Sequence, residues 1–353
     1  MTQRDDSIQL GGRTQQILRL LIRIHISSGE PVGSGTLSRN IEGKLSPATI
    51  RNIMAELEEA GYLTHPHTSA GRVPSEKGYR FYVDSLPESA KVSKNSERMI
   101  AQMLEDSDTP EEMMSRASYL LSSITKNVGI VIAPPLAATQ LKHIEFLELG
   151  DGKVLVIFVS KLGALQRKVI RIQDSYTQDE LDRAGRFLVE KFWGKTLIEI
   201  RNELLKMMEA ERSDYDRMLS LLRTWHESLE AEQGPDPEGV FVQGTANILS
   251  QPEFADVERM KNLFQMFEEK SRLVRILNEC IASSTAASGV KISIGSELGI
   301  PSMRDFTVIT ALYPARDQSA GYLGIIGPTR MEYERGISLV AYLGRLVGEK
   351  INA

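Results

Sequence analysis

The stretch of sequence that decides the fold runs from Leu45 to Leu86 and reads LSPATIRNIMAELEEAGYLTHPHTSAGRVPSEKGYRFYVDSL. It opens on Ser46, a residue type that caps helices, followed by Pro47, whose fixed φ and missing N–H suit the first helical position. Apolar residues then recur at helical spacing, at Ile50, Ile53, Met54 and Leu57. Gly61 is placed to end the helix. The sequence therefore predicts an amphipathic helix with a marked start and stop.

The opposite side of this helix carries small and hydrogen-bonding side chains, namely Ala48, Asn52 and Ala55 flanked by Thr49 and Arg51. The acids Glu56, Glu58 and Glu59 come only in the last turn. A helix that enters the major groove by its N-terminus needs this asymmetry, because its leading half approaches base edges while its trailing half points away from the phosphates.

The residues after Gly61 predict a short hairpin. Residues 62–64 are strand-like, residues 65–72 have the composition of a loop, and Val73 begins a second strand, with Tyr79, Phe81, Tyr82 and Val83 as anchors. His65 and His67 form the one close histidine pair, and a loop contacting phosphates is favoured over a metal site. The alternative is an ordinary surface hairpin behind an amphipathic helix.

The residues upstream supply two further helices, Arg13–Ser28 and Ser34–Ile41, followed by a turn over 42–45. Helix, helix, turn, helix, strand, loop and strand in about ninety residues predict a winged helix-turn-helix, a DNA-binding module. Arg51 and Asn52 suit guanine and adenine edges respectively. The full set of candidate DNA-binding residues is Ser46, Ala48, Thr49, Arg51, Asn52, His67, Thr68, Ser69, Arg72 and Lys77.

The charge of the chain is unusual for a DNA-binding protein. The net charge is −5, but residues 174–238 hold sixteen acids and nine bases, and the first ninety residues hold ten of each. Affinity must then come from local placement of Arg51, Arg72, Lys77 and Arg80, doubled by dimerisation.

The rest of the chain predicts an α+β domain interrupted by helices. Helices are expected over 97–104 and 110–125, and a closing helix over 333–351. Strands are expected over 128–133, 143–149, 154–159, 165–172, 290–294, 307–313 and 321–326, with acidic helices over 178–192, 197–212 and 214–230 between the two halves.

No catalytic or ligand-binding pattern is recognised. The single cysteine, Cys280, lies in an apolar helical stretch, and the sequence contains no His–His or Cys–His ligand spacing, phosphate loop or nucleophile elbow. We therefore predict no enzyme activity, no cofactor and no metal. The absence of an apolar signal region or a membrane-length apolar run predicts a cytoplasmic protein.

The phrases EPVGS, SPATIRNIMAELE, HTSAGRVPS and GYRFYVD, with GTANIL and YLGIIGPTRMEYER further on, closely resemble the heat-inducible transcription repressors of bacteria, the HrcA family. The resemblance implies a homodimeric repressor of chaperone operons that binds an inverted-repeat operator in double-stranded DNA, with a GroE-type chaperonin as a further partner and no membrane. It also implies a winged helix over 1–88, a GAF-like domain in two halves over 89–175 and 239–353, and an inserted helical dimerisation domain over 176–238.

Two alternatives stay open at this stage: a GAF-like domain that senses a small molecule, and an enzyme with a DNA-binding appendage. For the dimer contact the candidates are Leu181, Phe187, Leu188, Phe192 and Trp193, at helix-compatible spacing. The alternative is that these side chains only cover the core of their own domain.

Overall fold

The computed structural model describes residues 10–41, 45–66, 71–87, 92–134, 140–161, 165–172, 176–197, 199–200, 202–204, 239–249, 289–315 and 320–352. Two compact units share the chain. One comprises Met1–Lys91, Lys291–Ile309 and Ile326–Ser338, and the other comprises Val92–Val290, Thr310–Ile325 and Leu339–Ala353. In the described ranges, no helix combines the length and apolar character that a membrane span requires.

The described helices are α1 (Gly12–Ser28), α2 (Ser34–Asn40), α3 (Pro47–Glu59), α4 (Glu76–Asp84), α5 (Lys94–Glu105), α6 (Pro110–Thr125), α7 (Gln178–Phe192), α8 (Thr245–Leu249) and α9 (Tyr333–Asn352). The strands are β1 (Leu63–Thr64), β2 (Val73–Pro74), β3 (Val128–Ile132), β4 (Leu141–Gly150), β5 (Lys153–Ser160), β6 (Leu165–Arg171), β7 (Val240–Gln243), β8 (Val290–Ile294), β9 (Phe306–Pro314) and β10 (Ala320–Pro328). The chain is thus an α+β protein, as predicted.

The N-terminal segment confirms the three predicted helices. On α3, Ile50, Met54 and Leu57 are buried, and Gly61 takes a left-handed φ of 78° just after the helix. The predicted second strand is only two residues long, and α4 follows it where an extended segment was expected. Ser75 caps α4 by accepting a hydrogen bond from the Gly78 N–H, which starts a helix whose anchors Tyr79, Tyr82 and Val83 are buried.

A five-stranded sheet has the strand order β7-β3-β10-β9-β8. It joins strands from both predicted halves of the split domain, and β3 pairs with β7 in antiparallel fashion. Helix α6 is tied to this pair by Ser118, whose Oγ donates to the Gly129 and Phe241 carbonyls at 2.9 and 3.2 Å. The sequence GTANIL also contacts α6, since Asn247 Nδ2 donates to Ser122 Oγ at 2.9 Å.

A separate three-stranded antiparallel sheet has the order β4-β5-β6. Its inner face and α7 enclose a core of their own, formed by Ile144, Phe146, Val154, Val156, Phe158, Ile170, Leu181, Leu188 and Phe192 among others. The domain boundary expected between 175 and 176 runs through this core, because strands before it and a helix after it bury the same apolar surface.

Candidate nucleic-acid interface

The start of α3 is held by two hydroxyl groups. Ser46 Oγ accepts a hydrogen bond from the Thr49 N–H at 3.1 Å and lies 2.9 Å from Thr49 Oγ1. Both residues are exposed, as is Ala48 between them. The N-terminal turn of α3 is therefore capped by the Ser46 side chain and is exposed.

The face of α3 opposite the core is exposed in its first two turns. Arg51 and Asn52, the predicted base-reading residues, both lie on this exposed side. Ile50 and Met54 face the core instead. The structure thus brings five of the ten predicted DNA-binding residues together on one accessible surface: Ser46, Ala48, Thr49, Arg51 and Asn52. We call this surface the leading face of α3.

Lys77, a residue of α4, contacts the C-terminal end of α3. Its Nζ donates to the Ala60 carbonyl at 3.0 Å and sits 4.5 Å from the centre of the Tyr62 ring. A lysine at this position satisfies a C-terminal carbonyl and opposes the negative end of the helix dipole. The structure therefore separates Lys77 from the leading face and gives it a local partner.

Arg72 is engaged through its side chain by residues of α3 and of the β1–β2 loop. Its Nε lies 2.7 Å from Glu58 Oε2, and its side chain is only 20% exposed. Its Nη1 lies 3.0 Å from Nδ1 of His65. Sequence reasoning had no signal for either contact, because it placed Glu58 only among the acids that point away from the phosphates. His67, Thr68 and Ser69 lie outside the described residues.

Arg80 was expected to add a phosphate contact, and the structure corrects this. Its guanidinium pairs with Glu297, and its Nη2 also donates to the Ile292 carbonyl at 2.8 Å. These partners are more than two hundred residues away in sequence, so no local pattern could have found them.

Comparison with known proteins assigns the family. Residues 111–337 match the model of the HrcA protein C-terminal domain. The heat-inducible transcription repressor HrcA of Geobacter sulfurreducens is 41% identical over 337 residues, covering 95% of this chain and 96% of that protein. This chain belongs to the HrcA family. The HrcA repressor of Methylococcus capsulatus is 38% identical and covers 98% of this chain and 97% of its own.

The HrcA family is named for transcription repression, and the chain is accordingly a transcriptional regulator of the heat-shock response and not an enzyme. A crystal structure of a hypothetical protein, 21% identical, covers 97% of this chain and 99% of its own with a TM-score of 0.61. That likeness concerns the fold alone.

The dimer-contact candidates of this HrcA-family chain differ in their exposure to solvent. Leu181, Leu188 and Phe192 are at most 1% exposed within the core of their own sheet, so for them the alternative is correct. Trp193 is 59% exposed, with Lys161 Nζ 4.2 Å from its ring centre. The outer face of β4–β6 was not considered from sequence, although Leu165 and Val169 are about half exposed there, at 49% and 53%.

A groove of about 520 Å³ lies between β9 and α9 of this HrcA-family chain. A small-molecule sensor would need convergent polar groups there. The groove is lined mainly by small and apolar residues, and Asn352 Nδ2 already donates to the Pro314 and Gly348 carbonyls at 3.0 and 2.6 Å. Arg345 Nη1 lies 3.8 Å from Glu349 Oε1. The polar side chains of the groove are thus engaged with one another or with the backbone. Among the described residues no group of three or more metal-ligating side chains converges.

Proposed function

We propose that this HrcA-family chain represses heat-shock operons by binding, as a dimer, an inverted-repeat operator in double-stranded DNA, and that it releases the operator under heat stress. The observation that carries the proposal is the leading face of α3. It combines a capped helix N-terminus with exposed Arg51 and Asn52, the side-chain types that read guanine and adenine edges in the major groove.

On this proposal residues 1–88 form a winged helix-turn-helix, with α3 as the reading helix and the β1–β2 loop as the wing. Residues 89–175 and 239–353 supply the GAF-like domain. We place the start of the inserted dimerisation domain near residue 140 instead of 176, since β4–β6 and α7 share one core. Its described part then includes the three-stranded sheet.

The dimer contact that we propose is the outer face of the β4–β6 sheet. The cross-strand partners Leu155 and Val169 lie on this face, as do Val159 and Leu165. Between these two pairs Ile157 lies opposite Arg167 and Glu145, so the apolar residues of the outer face follow β5 and have charged neighbours at the centre. We propose that a second copy of the same chain buries these apolar residues around a two-fold axis. The family resemblance alone supports a GroE-type chaperonin as a further partner.

The charge of the proposed winged helix, residues 1–88, supports two-fold symmetry. The first ninety residues carry equal numbers of acids and bases, so a single copy has few phosphate partners. Linking two winged helices in one dimer makes the second binding event intramolecular, which can raise the overall affinity for DNA by roughly 10²–10⁴. The symmetric operator and the dimer are therefore parts of one proposal.

A gel-shift series with an inverted-repeat fragment tests the reading face. Arg51→Ala is expected to weaken specific binding by about 1–3 kcal/mol per half-site, since one base contact is lost. The matched control is Arg335→Ala, an exposed arginine of α9. Unchanged affinity and unchanged sequence preference in a folded Arg51→Ala dimer would show that another surface reads the DNA.

A further inference from the structure

Glu58 and Arg72 join the end of the reading helix to the base of the β1–β2 loop. The Nε–Oε2 distance of 2.7 Å is that of an ion pair, although the Nε–H is not aligned with the oxygen for a straight hydrogen bond. Glu58 is half-buried, with 32% of its side chain exposed, whereas its neighbours Glu56 and Glu59 are exposed. Of the three acids that end α3, one is therefore built into the fold.

The backbone of Arg72 is fastened to a third element. Its N–H donates to the Val32 carbonyl at 3.0 Å, and the Val32 N–H donates to the Arg72 carbonyl at 2.9 Å. A Cβ on the preceding Gly71 would lie 2.4 Å from the Val32 carbonyl carbon and oxygen, so the close approach requires glycine. Arg72 thus links three segments: the residues between α1 and α2, the end of α3, and the base of the β1–β2 loop.

The burial of this pair opposes a direct role at a phosphate. Arg72 Nε is sealed from solvent, and the guanidinium also contacts His65. Turning the side chain out to DNA would leave a half-buried carboxylate without its partner, which costs more than breaking an exposed pair. An arginine that serves as a mobile phosphate contact would be expected on the exposed side of the loop.

We propose that Arg72 is a positioning residue: with Glu58 it braces the base of the β1–β2 loop against α3 and Val32, and it does not itself contact phosphate. The inference rests on the proposed DNA-binding function and refines it, because the brace sets the direction in which the loop leaves the reading helix. Glu58, an acid on a DNA-binding helix, then supports binding.

Removal of Glu58 distinguishes the brace from a phosphate contact of Arg72, because the two interpretations predict opposite changes in operator affinity. If Arg72 contacted phosphate, Glu58→Ala would free its guanidinium and remove a negative charge, and operator binding would tighten. If the pair is a brace, Glu58→Ala weakens binding. Glu59→Ala is the matched control, since it removes the same charge from an exposed neighbouring position.

The experiment measures operator affinity of the full chain against salt concentration for the wild type, Arg72→Ala, Glu58→Ala, the double variant and Glu59→Ala. We expect Arg72→Ala and Glu58→Ala each to weaken binding about tenfold, equivalent to about 1.4 kcal/mol. Their salt slopes should match that of the wild type, and the double variant should bind no worse than either single variant.

Two results would overturn the brace: tighter binding by Glu58→Ala, or a salt slope of Arg72→Ala that is lower by about one unit, the signature of one lost phosphate contact. If Arg72→Ala fails to fold, Glu58→Gln decides the matter, because the two readings still predict opposite signs for it. A wild-type chain that binds no inverted-repeat fragment would instead overturn the proposed function itself.

Discussion

Arg80 in α4 and Glu297, 217 residues later, form an ion pair in which Arg80 Nε donates to Glu297 Oε1 at 2.8 Å. One turn earlier on α4, Glu76 Oε2 accepts a hydrogen bond from the Ser296 N–H at 3.1 Å. Both contacts reach the short 3-10 turn Gly295–Leu298. Helix α4 is thus fastened at two points to residues encoded near the other end of the chain.

Loss of Arg80 should destabilise the first compact unit. We expect Arg80→Ala to lower the free energy of unfolding by about 1–2 kcal/mol, because it removes the pair with Glu297 and the bond to the Ile292 carbonyl, and both partners are partly screened by solvent. Urea denaturation of the full chain measures this. Arg335→Ala breaks a more exposed pair with Glu332 and should cost no more than about 0.5 kcal/mol. Equal losses for the two variants would contradict the assignment.

Ser46 caps α3, and on the proposed function it also contacts DNA as part of the leading face of α3; the two roles can be separated. Ser46→Ala should lower the free energy of unfolding by about 1 kcal/mol, since the Thr49 N–H loses its acceptor. Ser46→Asp keeps a capping oxygen and should restore stability, yet it places a negative charge where phosphate approaches and should weaken operator binding. Denaturation and gel-shift assays of the same two proteins give both numbers. A Ser46→Asp variant that binds as well as the wild type would remove Ser46 from the interface.

The proposed dimer contact makes a prediction for Val169. Val169→Glu should dissociate the dimer without unfolding it, because the side chain is 53% exposed in the chain and a carboxylate would be buried between two copies. Val169→Thr keeps the branched shape and should retain the dimer. Sedimentation at several concentrations distinguishes them, with circular dichroism as the folding control. A Val169→Glu chain that remains dimeric would place the contact elsewhere.

The buried Tyr313 should make the free energy of unfolding fall at alkaline pH. Its hydroxyl donates to the Ile132 carbonyl at 2.8 Å, and burial raises the pKa of Tyr313 above its ordinary value. Above about pH 10 the unfolded chain loses a phenolic proton that the folded chain keeps, so stability falls as pH rises. Tyr313→Phe should be less stable at neutral pH by about 1–3 kcal/mol, since the carbonyl loses its donor. Its stability should then fall less steeply above about pH 10. An unchanged alkaline slope would show that Tyr313 does not contribute.

Local signals in the sequence were sufficient wherever the fold is decided locally. Ser46 and Pro47 mark the start of α3, and the capping box of Thr177 and Glu180 marks the start of α7. The turn between β4 and β5 is also set locally, with Asp151 and Gly152 at positive φ. In each case the residues that set the conformation are within three or four positions of one another.

Pairing between distant residues could not be predicted in this way. Arg72 and Arg80 are equivalent to Arg51 in a count of charges, yet the structure directs them to Glu58 and Glu297. Similarly, the apolar stripe of α7 predicts a buried face but not its partner, which is the sheet that precedes it. For the candidate interface, sequence therefore indicated which helix carries the exposed residues but not which cations are already engaged.

The first compact unit is assembled from three separate stretches of chain, and the last two are made late. At roughly 5–20 residues per second, the 217 residues between Arg80 and Glu297 separate their synthesis by roughly ten to forty seconds. During that interval the N-terminal helices have left the ribosome without the partners that fasten α4. A nascent chain, or one truncated before residue 291, consequently carries the reading helix on an incomplete unit. Synthesis through Ser338 is therefore needed before the unit that carries α3 is complete.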